Sequence, residues 1–182
     1  MTKQLTIVFA LLFLFNCKTP EARKPISVKT GSFIDASVER NKQLNAKEQA
    51  IIQKLMTQKK DNKYIASESG FWYYYNIKTE TDTLNTPNFG DIINYNYNIK
   101  DINGGLIYSK ADIKTQTYAM DQEELFTGLR EGLKLMKTGE TVTFLFPSQK
   151  AYGYYGDQNK IGSNTPLICE VTINSITQNQ SN

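Results

Sequence analysis

Eleven tyrosines, no histidine and only two cysteines set the chemistry open to this chain. Without histidine, Ser–His and Cys–His nucleophile systems are excluded, and so are most metal centres. Cys17 and Cys169 are too few for a disulfide framework. The expectation is a protein that works without metal, cofactor or covalent intermediate. The donors that remain are tyrosine hydroxyls and backbone amides among apolar and aromatic walls. Tyr152, inside Ala151-Tyr152-Gly153, is one such donor; taken alone, a tyrosine there is more often a surface or core residue. Tyr97 lies on the apolar face of an alternating segment, where pocket wall and ordinary core fit equally well.

The elements that must position these residues follow from composition and pattern. With 182 residues, 40% of them apolar, and 9 Phe beside the tyrosines, the chain can build one domain plus an anchor and a spacer. A net charge of +3 with no arginine-rich stripe gives no electrostatic footprint for nucleic acid. At the N-terminus, Lys3 precedes an unbroken apolar run from Ile7 to Phe15. Its length suits a signal-peptide core and falls short of the roughly twenty residues a membrane-spanning helix needs. The run ends at Asn16-Cys17, and Leu14-Phe15-Asn16-Cys17 resembles a bacterial lipobox, whose Cys is acylated. Residues 1–17 are therefore expected to be a lipoprotein signal, with Cys17 as lipid attachment point and membrane contact through that lipid. A plain secretory signal accounts for the same residues. The lipid anchor would place the protein in the cell envelope, periplasm-facing or at the outer membrane.

Residues 18–36 carry two Pro, several Lys and Arg, and Gly31-Ser32, and read as a flexible tether. Over 37–61, Leu44, Ile51, Ile52, Leu55 and Met56 stand near helical spacing among Lys, Glu and Gln. The pattern predicts one amphipathic helix, able to dock on the domain, on a partner or on a second copy. A solvated spacer helix fits it equally.

Residues 62–182 alternate with period two. Phe71, Tyr73, Tyr75 and Ile77 form one strand face, and Ile93, Tyr95, Tyr97 and Ile99 another. Val142, Phe144 and Phe146 repeat the pattern, as do Leu167, Cys169, Val171 and Ile173. Such segments predict half-buried strands of an antiparallel sheet. One helix is expected between the second and third strands. Asp121 is its N-cap, Leu125, Leu129, Leu133 and Met136 its buried stripe, and Gly139 its end. The fold class is α+β. The Phe71-Trp72-Tyr73-Tyr74-Tyr75 cluster reads as sheet packing, because no basic groove accompanies it for base stacking.

Three stretches resemble the FK506-binding protein family. The first is Gly90-Asp91-Ile92-Ile93 leading to Tyr97, then Gly104 and Ile107-Tyr108-Ser109. The second runs from Gly128-Leu129-Arg130-Glu131-Gly132-Leu133 to Gly139-Glu140. The third is Ala151-Tyr152-Gly153-Tyr154-Tyr155-Gly156, followed by Ile161 and Leu167 to Val171. Ser69-Gly70-Phe71-Trp72-Tyr73 is similar to the opening strand of secreted members, so the likeness covers residues 66–177. With the leader included, the whole resembles the gliding-motility-associated isomerase-like lipoproteins of Bacteroidetes.

The resemblance implies a half-barrel antiparallel sheet wrapped around one short helix, with an aromatic pocket between them for a proline side chain. Tyr97, Ile107, Leu125, Phe126, Leu129, Tyr152, Ile161 and Cys169 should line it, with Tyr108 at its edge. Tyr152 would hydrogen-bond the peptide carbonyl, the Phe126 amide would hold the ligand, and Leu129 would form the floor. Family members usually carry an acidic residue where Tyr108 stands and an aromatic one near Cys169. The implied activity is peptidyl-prolyl cis–trans isomerisation of proline-containing clients, serving the folding of exported or surface proteins and gliding motility. A chaperone or structural binding module using the same pocket is the alternative.

Overall fold

Strict alternation forms Ile92–Asp101 into a ten-residue strand in the computed structural model, which describes residues 30–80 and 85–179, with side chains from residue 33. The leader, Cys17 and most of the expected tether lie outside those residues. The chain divides into Met1–Val38 and Glu39–Asn182. Of the first unit, the opening turns of helix α1 (Thr30–Gln58) are described, and Phe33, Ile34 and Val38 are exposed there.

The helix begins at Thr30 and ends at Gln58, instead of running over 37–61. Once a helix is nucleated, each added residue costs little, so Gly31 and Ser32 near its first turn do not stop it. Residues 30–36 are thus helical where a tether is expected.

Within Glu39–Asn182, strands β1 (Ile65–Ala66), β2 (Trp72–Ile77), β3 (Ile92–Asp101), β4 (Leu106–Tyr108), β5 (Gln116–Ala119), β6 (Thr141–Phe146) and β7 (Leu167–Thr177) form one antiparallel sheet. Its order is β1-β2-β6-β7-β3-β4, with β5 also paired to β3. β4 and β5 share that edge, separated by the four-residue helix α2 (Lys110–Ile113), which Ser109 and Asp112 close with a capping box. Between β5 and β6 lies helix α3 (Thr127–Leu133). The α+β architecture with an N-terminal helix is the one the pattern predicts.

Two expectations shift in detail. Asp121 does not cap α3; it has φ +59 in a turn ahead of the helix, whose N-cap is Phe126. The Tyr118 hydroxyl holds that turn by accepting from the Asp121 amide and donating to the Glu123 carbonyl. Asp121 instead pairs with Lys134 at 3.0 Å. The helix stops at Leu133, well before Gly139, which occupies a later turn at φ +85. Ile77 leaves the buried face because the β2–β6 register shifts between Tyr75 and Ile77, and it is 59% exposed.

The core sits between α3 and the inner sheet face. Ile93, Tyr95, Tyr97, Ile99, Phe144, Phe146, Val171 and Ile173 pack against Leu129 and Leu133. Gly128 and Gly132 allow the close approach: a Cβ at Gly128 would lie 2.6 Å from the Phe146 ring and from the Lys150 carbonyl oxygen. Phe71, Tyr73 and Tyr75 face this side, and Phe71 meets the Phe146 ring at 5.2 Å.

The outer face is divided by chemistry. Near β6, Leu145 and Ile168 are covered by Ile52 of α1, which has no exposed surface. Ile52, with Leu55 and Met56 beside it, therefore docks α1 on the sheet while Ile51 of the expected stripe is exposed, and β6 is buried on both faces. Over β3 and β7 the outer face is polar, with Asn174 bonded to Asn94 and Asn96.

Candidate active site

The expected site residues converge on one end of the core. Tyr97 comes from β3, Ile107 and Tyr108 from β4, and Cys169 from β7. Leu129 lies in α3, Leu125 and Phe126 just ahead of it, and Tyr152 and Ile161 in the loop between β6 and β7. All nine belong to one contiguous cluster. Tyr97, Leu129, Ile161 and Cys169 are buried, whereas Ile107, Tyr108, Leu125, Phe126 and Tyr152 are partly exposed above them. Leu129 and Cys169 have no exposed surface and form a floor beneath the rim.

Local backbone chemistry sets the two central residues. Phe126 is extended at φ −61 and ψ 140, and its carbonyl accepts the first helical bond from Arg130. Its own amide donates to no group among the described residues, as expected for the start of a helix. Tyr152 follows a 3-10 turn, Ser148–Lys150, that begins after Pro147. Gly156, at φ +63, then reverses the loop, and a Cβ there would fall 2.1 Å from the Ile161 carbonyl. Only glycine fits that position. The Phe126 and Tyr152 rings lie 5.1 Å apart.

Beside these rings opens a cleft of about 530 Å³ lined by Glu123, Glu124, Leu125, Phe126, Arg130 and Tyr152. The sequence reading missed the three charged residues, because charges on a turn and a short helix look like a solvated face. The Tyr152 and Tyr97 hydroxyls bond to no described group. Among the described residues no buried side-chain oxygen or nitrogen is left unsatisfied, so both unbonded hydroxyls keep some exposed surface. Burial pushes the Tyr152 hydroxyl up to about 12, with Cys169, Asp157 and Tyr108 adding to the shift. Burial likewise raises Tyr97 and the Cys169 thiol. These groups stay protonated near neutral pH, and the two hydroxyls remain donors.

At the rim, the Tyr108 hydroxyl meets a carboxylate that the sequence reading did not anticipate, that of Asp157. Asp157 Oδ1 also accepts the Asn159 and Ile161 amides, and Asn159 Nδ2 donates to the Tyr108 hydroxyl. An acid therefore stands at this edge, delivered by a distant loop. No local signal links positions so far apart. Chemically, the arrangement offers an apolar aromatic floor, three uncommitted donors (the Phe126 amide and the Tyr152 and Tyr97 hydroxyls) and a charged mouth.

Comparison with known proteins agrees with this fold. The family described as FKBP-type peptidyl-prolyl cis-trans isomerase matches residues 84–174, half of the chain. A probable FKBP-type peptidyl-prolyl cis-trans isomerase FkpA of Neisseria meningitidis serogroup B is 34% identical over 88 residues, which cover 48% of this chain. The aligned region spans 32% of that relative's length. Among solved structures, a peptidyl-prolyl cis-trans isomerase from Pseudomonas syringae pv. tomato superposes with TM-score 0.57 at 21% identity. That likeness covers 73% of this chain and 95% of the other. FkpA from Escherichia coli gives TM-score 0.56 at 19% identity over 96% of this chain and 82% of its own. At such identities the two structures speak for the fold. The matched range takes in β3, α3 and the loop that bears Tyr152, and this chain belongs to the FKBP-type peptidyl-prolyl cis-trans isomerase family.

Proposed function

We propose that this chain catalyses cis–trans isomerisation of X-Pro bonds in exported or cell-surface polypeptides, held at the membrane by an acylated Cys17. The observation that carries the reading is the pair of uncommitted donors, the Tyr152 hydroxyl and the Phe126 amide, beside adjoining rings over an apolar floor. Rotation about a peptide bond meets a barrier of about 18–20 kcal/mol because the twisted amide loses resonance. Unaided X-Pro exchange takes tens of seconds or more. A catalyst need only favour the twisted amide over the planar one, without breaking a bond. The twisted amide is less dipolar, so a dry floor penalises it less than the planar form. A donor aimed at the carbonyl, or at the proline nitrogen as it becomes pyramidal, holds the rotated form further.

In this reading Tyr152, Phe126 and Tyr97 are the residues most involved in catalysis. Ile107, Tyr108, Leu125, Leu129, Ile161 and Cys169 shape the substrate site. The envelope location is supported by the leader pattern ending at Cys17. A role in gliding motility is supported by the resemblance of the whole sequence to the motility-associated lipoproteins.

A second reading keeps the cleft and drops the catalysis, leaving a chaperone or structural binding module. The complete burial of Leu129 and Cys169 favours it, since neither presents surface to a proline ring. Isomerisation of a short X-Pro peptide by the full chain separates the two. Acceleration over the uncatalysed rate supports the enzyme; peptide binding without acceleration supports the module.

A further inference from the structure

One buried charge has no part in that reading. Glu48 of α1 is 2% exposed, and its carboxylate reaches across to the loop that carries Tyr152. Glu48 Oε2 accepts the Ser148 amide at 2.7 Å, and Oε1 accepts the Ser148 hydroxyl at 2.6 Å. Ser148 opens the 3-10 turn Ser148–Lys150, whose N-cap, Pro147, makes no side-chain cap bond. Glu48 thus supplies from another element the acceptor that a capping side chain would give locally.

Burying a carboxylate is costly unless strong bonds compensate it, and an apolar residue would serve packing more cheaply. Here both oxygens are spent on one residue four positions before Tyr152. The turn is also held from its other side. The Lys150 carbonyl lies against α3 where Gly128 has no Cβ, and the Ala151 amide donates back to the Ser148 carbonyl at 3.0 Å. Ser148–Ala151 is therefore clamped between Glu48 of α1 and Gly128 of α3, and Tyr152 leaves directly from the clamp.

We infer that Glu48 is a positioning residue for the active-site loop, so that the docked part of α1 belongs to the machinery that places the Tyr152 hydroxyl. The inference rests on the proposed isomerase reading for its kinetic consequence, but its structural consequence is independent of it. A small misplacement of a catalytic group can cost up to about a hundredfold in rate. Loss of the clamp should lower kcat and kcat/KM together, because the interaction at stake is made in the transition state.

The test uses the full chain with Glu48→Ala, Glu48→Gln and Ser148→Ala. Two readouts are taken well below the unfolding temperature: X-Pro peptide isomerisation, and the NMR signals of the Tyr152 ring and the Lys150 and Ala151 amides. In Glu48→Ala, those signals should move or broaden while the amides of Val142 and Val171 stay in place. Its kcat should fall by roughly tenfold, with part of the loss restored in Glu48→Gln, which keeps one acceptor. Should Glu48→Ala not fold, Ser148→Ala removes the hydroxyl bond alone and should shift the same signals by less. Unmoved Tyr152 signals in folded variants, or equal shifts throughout the sheet, would overturn the inference. If the unaltered chain gives no acceleration, the isomerase reading fails, and the loop signals still decide whether Glu48 positions Tyr152.

Discussion

The hydroxyl of Tyr108 donates to the Asp157 carboxylate at 2.5 Å, joining the edge strand β4 to the loop that precedes β7. Burial pushes the Asp157 carboxyl up, but hydrogen bonds from Tyr108 and the Ile161 and Asn159 amides outweigh it and hold the group below its usual range. A depressed folded value means stability that is present above the unfolded value, about pH 4, and lost as pH falls through the folded one. The Ile161 and Asn159 amides should therefore be protected from hydrogen exchange near neutral pH and lose protection in acid. Asp157→Asn should show weakened protection at both ends of that range. Protection indifferent to pH in the unaltered chain would refute the account.

Replacing Tyr152 with Phe removes one hydroxyl and leaves the ring against Phe126. The expected loss is about 1 kcal/mol of transition-state binding, or roughly fivefold in rate, with thermal stability little changed. The hydroxyl, pushed up to about 12, stays protonated across the usual assay range, so its ionisation should impose no fall in rate on the alkaline side. A variant as fast as the parent would remove Tyr152 from catalysis and leave the fold untouched.

Gly128→Ala places a methyl group 2.6 Å from the Lys150 carbonyl. Alanine is the better helix former by ~1 kcal/mol, yet overpacking against backbone should win, costing ~1–3 kcal/mol. Urea titration followed by tryptophan fluorescence measures this, since Trp72 is the only tryptophan. A stabilised variant would mean that α3 has room the packing does not show.

Ile52→Ala tests the docking of α1. Ile52 is fully buried against Leu145 and Ile168, so truncation should cost ~2–5 kcal/mol in the same titration. A loss within experimental error would indicate that the helix is dispensable to the sheet.

Cys169 has no exposed surface, and burial raises its thiol. In a Cys17→Ser background, iodoacetamide at mildly alkaline pH should leave the native chain unmodified and alkylate it once in urea, read by intact mass. Rapid labelling of the folded chain would show that the floor opens.

The strands β2, β3, β6 and β7 were legible because each keeps an alternating face of large apolar side chains. Seven of the nine expected site positions lie in the three motif segments and Leu125 and Phe126 just ahead of the second, and the fold gathers all nine into one cluster. What escaped reading was set by tertiary partners. Asp121 has the composition of an N-cap, but the Tyr118 hydroxyl holds it in a turn, and Phe126, with no capping side chain, starts the helix instead. Asp157 is invisible as a rim acid until the loop brings it to Tyr108. Glu48 looks like one of many solvated helix charges until Ser148 is seen beside it.

The edges of the sheet carry a consequence of their own. One edge ends in the two-residue β1, and the other is divided by α2 into β4 and β5, of three and four residues. A long unbroken edge exposes a row of unpaired amides and carbonyls on which another chain can add itself as a strand. Here any incoming segment would find only a few residues of register before the ladder turns away. A protein whose proposed task keeps it among unfolded polypeptides is thereby a poor seed for their aggregation, and for its own.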